Sequence, residues 1–122
     1  MHKLYMLFPV ISENEFVKII LIQKGVEYGI LVSSEDYYRV AAHSWHIHRS
    51  AGKGREKGLP YARATINGKK VYMHRFIMGV TDKRKQVDHK NHNTLDNRRE
   101  NLEVVDAKTN QHRRRDRMGD EE

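Results

Sequence analysis

The chain has no cysteine, which removes disulfides, thiol catalysis and cysteine-type zinc sites together. It also lacks an apolar run of roughly 18 residues, the length that a membrane-crossing helix requires. No signal-peptide hydrophobic stretch or cleavage site follows the Met1-His2-Lys3 start, so the expectation is a cytoplasmic protein with no membrane partner. There is no internal repeat. A length of 122 residues with 38% hydrophobic content allows one small domain with a modest core and excludes a multi-domain enzyme.

Positive charge is what the chain has in excess. The net charge is +7 and the pI is near 9.7, which favours a polyanionic partner because each neutralised phosphate releases condensed counterions. Nucleic acid is the expected partner, with no small-molecule substrate, and the chain is expected to be a monomer or weak dimer. An anionic membrane surface is the rival, but the basic residues alternate with Asn, His and Asp rather than with the Trp or Leu face that a surface helix needs.

Residues 1–72 read as a β-rich region. Met1 to Val10, with Pro9, reads as a loosely docked leader. Phe16 to Gln23 (FVKIILIQ) and Tyr28 to Val32 (YGILV) are strands by their β-branched runs, joined through Lys24 to Glu27 as a hairpin connection. Ser33 or Ser34 then caps a helix over Glu35 to Ala42, whose acids Glu35 and Asp36 suit the dipole and whose apolar face is Tyr38, Ala41 and Ala42. Ser44 to Ser50 alternates Trp45, Ile47 and Arg49 against His46 and His48, a strand pattern. Ala51 to Gly58 is expected to be a mobile basic loop. Tyr61 to Ile66 is the return strand, Asn67-Gly68 the hairpin turn and Lys69 to Tyr72 the third strand. Met73 to Met78 forms a short helix closed by Gly79, and Asp82 to Gln86 is a basic link. Residues 119–122 are expected to fray as an acidic tail.

Acid, imidazole and amide side chains recur at chemically useful spacings only in Val87 to Arg117, VDHKNHNTLDNRRENLEVVDAKTNQHRRRDR. Val87-Asp88-His89 is a strand that ends there, and Lys90 to Asn97 is a structured loop because Asn and Asp bond their own main chain, with Leu95 pinned inward. Leu102 to Val105 is a second strand. Asp106 caps a helix running to Met118, on which Asn110 and Arg114 share a face. Leu95, Leu102 and Thr109 are also spaced as on one basic amphipathic helix. Asp96-Asn97 and Val104-Val105-Asp106 are poor helix interior, which argues against that.

Asp88-His89, Asn101 twelve residues after the histidine and Asn110 nine further on, with the LDNRRENL string and the preceding MHRFIMG, together resemble the HNH endonucleases of the free-standing phage and homing type, over residues 71–113. The resemblance implies a ββα-metal motif over 73–118 within an α+β fold: a small N-terminal antiparallel sheet with a short helix, then the C-terminal motif. It implies a divalent-metal-dependent DNA endonuclease of phage or mobile-element type, acting in the host cytoplasm if phage-encoded. Asn stands at the last position where some members have His, and the cysteine pairs of members with structural zinc are missing.

The residue types fit phosphodiester hydrolysis. Asp88 and Asn110 are hard oxygen ligands suited to Mg²⁺ or Mn²⁺, which steadies a leaving 3′-oxygen. Neutral His89 is the general base for the attacking water. Asn101 neither gives nor takes a proton; the resemblance gives it the role of orienting the loop and the histidine. A zinc site of His89, His92 and His112 lacks a fourth ligand. His74 is either a phosphate contact beside Arg75 or a half-buried structural histidine. Arg75, Arg98, Arg99, Arg113, Arg114 and Arg117 are candidate phosphate contacts. The strands over 44–72 resemble a small AP2-type sheet that reads DNA grooves, with Arg49, Arg63 and Lys69 as candidate contacts; the other reading is a scaffold built on Trp45 and Tyr61. A non-catalytic DNA-binding regulator is the alternative function, and Asp88 separates the two, because a pure binder gains nothing from a carboxylate beside phosphates.

Overall fold

A computed structural model describes residues 15–52, 54 and 57–106. The fold is α+β, with eight short strands in three small sheets and two short helices among the described residues. Strands β1 (Phe16–Gln23) and β2 (Val26–Ser33) pair antiparallel from Gln23↔Val26 to Phe16↔Ser33. Lys24 and Gly25, with φ of 52° and 79°, make a two-residue turn whose twist matches the strands. This tighter turn starts β2 two residues earlier than the expected Tyr28.

The expected helix over Glu35 to Ala42 is shorter and built differently. A 3-10 turn, Ser34–Asp36, precedes α1 (Tyr37–Ala41). Ser33 stands at the cap position without a side-chain cap bond; its Oγ accepts the Arg99 backbone N–H at 2.9 Å. Tyr38, expected on the apolar face, is 77% exposed, and Val40 is the buried residue of the helix. Asp36 does not serve the dipole at the surface. Its buried carboxylate receives Arg99 through Nε and Nη2, each at 2.9 Å, and Arg39 through Nη2 at 3.0 Å. Burial alone would raise this carboxyl, but the two guanidinium groups outweigh it and hold the group below its ordinary value.

Strands β3 (His46–Arg49), β4 (Pro60–Ile66) and β5 (Lys69–Tyr72) form the expected antiparallel meander. Its Asn67-Gly68 turn has φ of 52° and 80°. Residues 53, 55 and 56 of the Ala51 to Gly58 loop lie outside the described residues. The Gln23 side chain clamps the main chain of Ile47, receiving its N–H at 2.8 Å and donating to its carbonyl at 3.0 Å, and so ties the first hairpin to β3.

Helix α2 (Met73–Met78) ends at Gly79, whose φ of 68° lets its N–H turn back to the Arg75 and Phe76 carbonyls. Strand β6 (Lys85–His89) pairs antiparallel with β8 (Leu102–Asp106), from Lys85↔Asp106 to His89↔Leu102. Between them, the two-residue β7 (Asp96–Asn97) joins β2 in parallel, Leu31↔Asp96 and Val32↔Asn97. One buried cluster, including Ile30, Val32, Met73, Ile77, Val87 and Leu102, joins β2, α2, β6 and β8. Asp106, expected as a helix cap, ends β8; the expected leader over Met1 to Val10, the rest of the expected helix to Met118 and the tail at 119–122 lie outside the described residues.

Asp36 therefore joins α1, the turn before β8 and, through Arg39 and Arg99, the Ile77 carbonyl at the end of α2. Breaking a buried pair typically costs about 3–5 kcal/mol; the two arginines are half-exposed, so Asp36→Asn should cost about 2 kcal/mol. Urea unfolding measures this, and a loss below about 0.5 kcal/mol, the size of an ordinary surface substitution, would show that the strut carries no weight.

Candidate active site

In the segment from Lys90 to Asn101 the Asn and Asp side chains bond main-chain groups of their own loop, as its composition predicts. Asn91 Oδ1 accepts the Asn93 N–H at 2.9 Å, and Asn93 Oδ1 accepts the Leu95 N–H at 3.1 Å. Asn101 is buried and bridges the two ends of the loop. Its Oδ1 accepts the Asn91 N–H at 3.0 Å, and its Nδ2 donates to Asn91 Oδ1 and the Asp96 carbonyl, both at 2.9 Å. Its own carbonyl accepts the Lys90 N–H at 2.8 Å. Leu95 is buried, as expected, and its carbonyl accepts the Leu31 N–H at 2.9 Å. Thr94 Oγ1 donates to the Pro60 carbonyl, which fixes the loop against the second sheet.

His89 closes β6, and side-chain alternation runs through it. Val87 and His89 are buried on the core side, and half-buried Asp88 lies on the opposite face. His89 Nε2 lies 2.8 Å from Asn97 Oδ1. An amide oxygen only accepts, so Nε2 carries the proton and Nδ1 holds the lone pair. No hydrogen bond to Nδ1 forms among the described residues, and Nδ1 is not sealed from solvent. Burial lowers the imidazole pKa; the Asn97 bond and the carboxylates of Asp88 and Asp96 raise it; burial prevails, so the ring titrates below its ordinary value of 6.5. The ring is thus neutral at pH 7, the form a general base requires.

Three further rings surround it. The His74 centroid lies 4.8 Å from His89, Tyr61 lies 6.1 Å from His89, and Tyr72 lies 5.7 Å from His74. The second sheet and α2 thus meet the motif at the candidate base.

The arginines separate into two groups. Arg98 lies along the buried Asp96 carboxylate with bonds of 2.8 and 2.7 Å and reaches Glu100 at 3.1 Å. Arg99 is bound to Asp36. Arg75 donates to the Lys85 and Asp82 carbonyls at 2.7 and 3.0 Å, bracing the turn between α2 and β6. Arg49 donates to the Gly58 carbonyl and to Tyr28 Oη. Arg63 differs, because its buried Nε has no partner among the described residues while its guanidinium carbon lies 5.9 Å from the Tyr72 ring centroid. Asn110, Arg113, Arg114 and Arg117 lie outside the described residues, as does His112.

The model of the HNH endonuclease family matches residues 71–112. This segment is similar to the HNH endonucleases. It covers roughly a third of the chain, from the end of β5 past β8, close to the extent read from the sequence. No curated protein and no solved structure matches the chain.

Within the HNH segment, no three His, Asp or Glu side chains converge as a metal cluster among the described residues. The donor chemistry nevertheless suits a hard cation. Asp88 offers a carboxylate, and Mg²⁺ is commonly bound by one or two protein oxygens while it retains several waters. Sequence reasoning passed over Glu103, which is the cross-strand partner of Asp88 and shares its face. It also passed over Asn97 as the partner of the base, and read Asp36 only as a helix-dipole acid. The DNR string contained the signal for Asn97: an Asn eight residues after a candidate base, at the end of a loop already expected to fold back.

Two predictions follow from this geometry. Asn101→Ala removes three hydrogen bonds around a buried position and should cost about 2–4 kcal/mol; a loss below about 1 kcal/mol in urea titration would mean that the loop holds itself. The second concerns acid. His74 is pushed down to about 3 by burial first and then by the charges of His89 and Arg75. In the unfolded chain both histidines take protons near pH 6.5, so their full contribution to stability is present above that pH and is lost as pH falls. The loss from His74 alone should be on the order of 3 kcal/mol by pH 4. Unfolding midpoints compared between pH 7.5 and pH 4 should show it, and His74→Phe should remove most of the slope.

Proposed function

We propose that the chain is a ββα-metal DNA endonuclease, of phage or mobile-element type, that hydrolyses phosphodiester bonds with the help of one divalent cation. The observation that carries this reading is the state of His89: a buried, neutral imidazole whose Nε2 proton is committed to Asn97, leaving the Nδ1 lone pair, at the end of a strand in the HNH segment. A side chain packed only for structure has no need of that arrangement.

In the proposed reaction, Nδ1 of His89 takes a proton from water as the water oxygen attacks phosphorus, and the bond from phosphorus to the 3′-oxygen breaks. Asn101 keeps the Lys90 to Asp96 loop in place, and with it the Asn97 amide that orients His89. Asp88 and Asn110 would hold Mg²⁺ or Mn²⁺, which supplies positive charge at the leaving oxygen. The helix over 107–118, with Arg113, Arg114 and Arg117 for phosphates, completes the ββα motif in this proposal. Supercoiled plasmid should be nicked or cut in Mg²⁺ and left intact in chelator, and His89→Ala should abolish cutting with little change in DNA affinity. Equal cutting in chelator, or by His89→Ala, would sink the assignment.

Sequence selection belongs to the second sheet in this reading, and the register supports one face of it. His46, Arg63 and Tyr72 are cross-strand neighbours, as are Thr65 and Lys70, and alternation puts them on the face opposite the buried Ile47, Ala62 and Ala64. Arg49 and Lys69 share the parity of Ile47 and Val71 and so belong to the other face. Charge crowds the first face: burial, then Arg63, Lys70 and His48, lower the pKa of His46. Replacing Arg63 and Lys70 with Ala should scatter the cut sites on a long DNA, while replacing Arg49 and Lys69 should leave them in place. Unchanged maps in a folded Arg63/Lys70 variant would make the sheet a scaffold.

A further inference from the structure

His74 is an imidazole that this reaction does not yet use. It is the second residue of α2, half-buried, with its ring 4.8 Å from that of His89 and 5.7 Å from those of Tyr61 and Tyr72. Polar groups this far inside a protein ordinarily find a partner. Neither ring nitrogen of His74 has a hydrogen bond among the described residues, and neither is sealed from solvent. The ring is also neutral at any working pH, since burial and the nearby charges of His89 and Arg75 push it down to about 3. It therefore offers one N–H donor and does not compete with His89 for the proton of the attacking water.

We propose that His74 is a second imidazole of the active centre, donating its N–H to a non-bridging oxygen of the scissile phosphate beside the water that His89 activates. This rests on the nuclease reading above. No bond to His74 forms or breaks. The water oxygen bonds to phosphorus, the 3′-oxygen leaves, the water proton goes to His89 Nδ1, and the His74 hydrogen bond strengthens as negative charge builds on the phosphoryl oxygens. A fixed donor aimed at developing charge contributes about 10²–10³-fold in enzymes where one has been removed. The other role open to His74 is packing, filling the space between Tyr61, Tyr72 and His89.

The two roles part in His74→Phe, which keeps an aromatic ring of similar shape and loses the donor. Single-turnover cleavage of plasmid in Mg²⁺ is measured for the wild type, His89→Ala and His74→Phe, with DNA affinity in chelator and thermal melting measured alongside. The expected result is a loss of about 100-fold in the rate of His74→Phe, with affinity and melting close to wild type. A folded His74→Phe that cuts within about threefold of wild type overturns the proposal while leaving the nuclease reading intact; a wild type that does not cut overturns both. Should the phenylalanine variant melt early, His74→Asn decides, because its amide still donates. Retention of cutting within about tenfold of wild type supports the hydrogen bond, and a rate as low as that of His89→Ala makes His74 a packing residue.

Discussion

The dipeptide Asp96-Asn97 is the constraint on which the rest of the candidate site depends. Its backbone joins β2 in parallel, which brings the HNH loop onto the N-terminal hairpin. The Asp96 carbonyl receives Asn101 and its carboxylate receives Arg98 and Asn91, while Asn97 holds the base. Two residues thus connect the core, the loop and the imidazole. A buried carboxylate is costly unless paired and hydrogen-bonded. Here burial would raise the Asp96 pKa, but the bonds from Arg98 and Asn91 prevail and keep it ionised, so the charge stabilises the loop instead of straining it.

That dependence explains why the N-terminal region cannot be treated as an ornament on a self-sufficient motif. The buried cluster takes Ile30 and Val32 from the first hairpin, Ile47 and Ala62 from the second sheet and Val87, Leu95 and Leu102 from the HNH segment. An isolated two-stranded ribbon such as β6-β8 is marginal in water and needs another element to pack on. The hairpin supplies that surface, and the price is a chain in which disturbing Asp36 or Gln23 reaches the site.

Local signals made much of this legible in advance. The bounds of β1 and β5, the Asn67-Gly68 turn and the Gly79 stop each depend on a few adjacent residues, and the structure agrees with them. Asn101 as a loop brace was read from resemblance, and its bonds now show how it braces. What escaped was everything decided by distant partners. Asp36 looks like a helix-dipole acid until Arg99, 63 residues away, is placed beside it. A strand of two residues has no periodicity to detect, so β7 was invisible, and with it the partner of His89. Arg98 and Arg99 were assigned to phosphates from charge alone, yet both guanidinium groups lie along buried carboxylates, a use of arginine that composition does not distinguish from nucleic-acid contact.

Register carries a further lesson about the second sheet. Four basic side chains on a short meander suggest a single basic surface, but alternation splits them: Arg63 and Lys70 to one face, Arg49 and Lys69 to the other. The face of Arg63 also carries His48, Tyr61 and Tyr72, and ring contacts run from His48 through Tyr72 to His74 and on to His89. A surface that reads DNA needs a fixed distance to the atom that cuts it, because a loose joint blurs the cut position. Packed rings between the sheet and the base provide such a joint through their faces and edges. Burial of His89, to which these rings contribute, also lowers its pKa, which makes the mechanical coupling and the acid-base state of the site consequences of one packing arrangement.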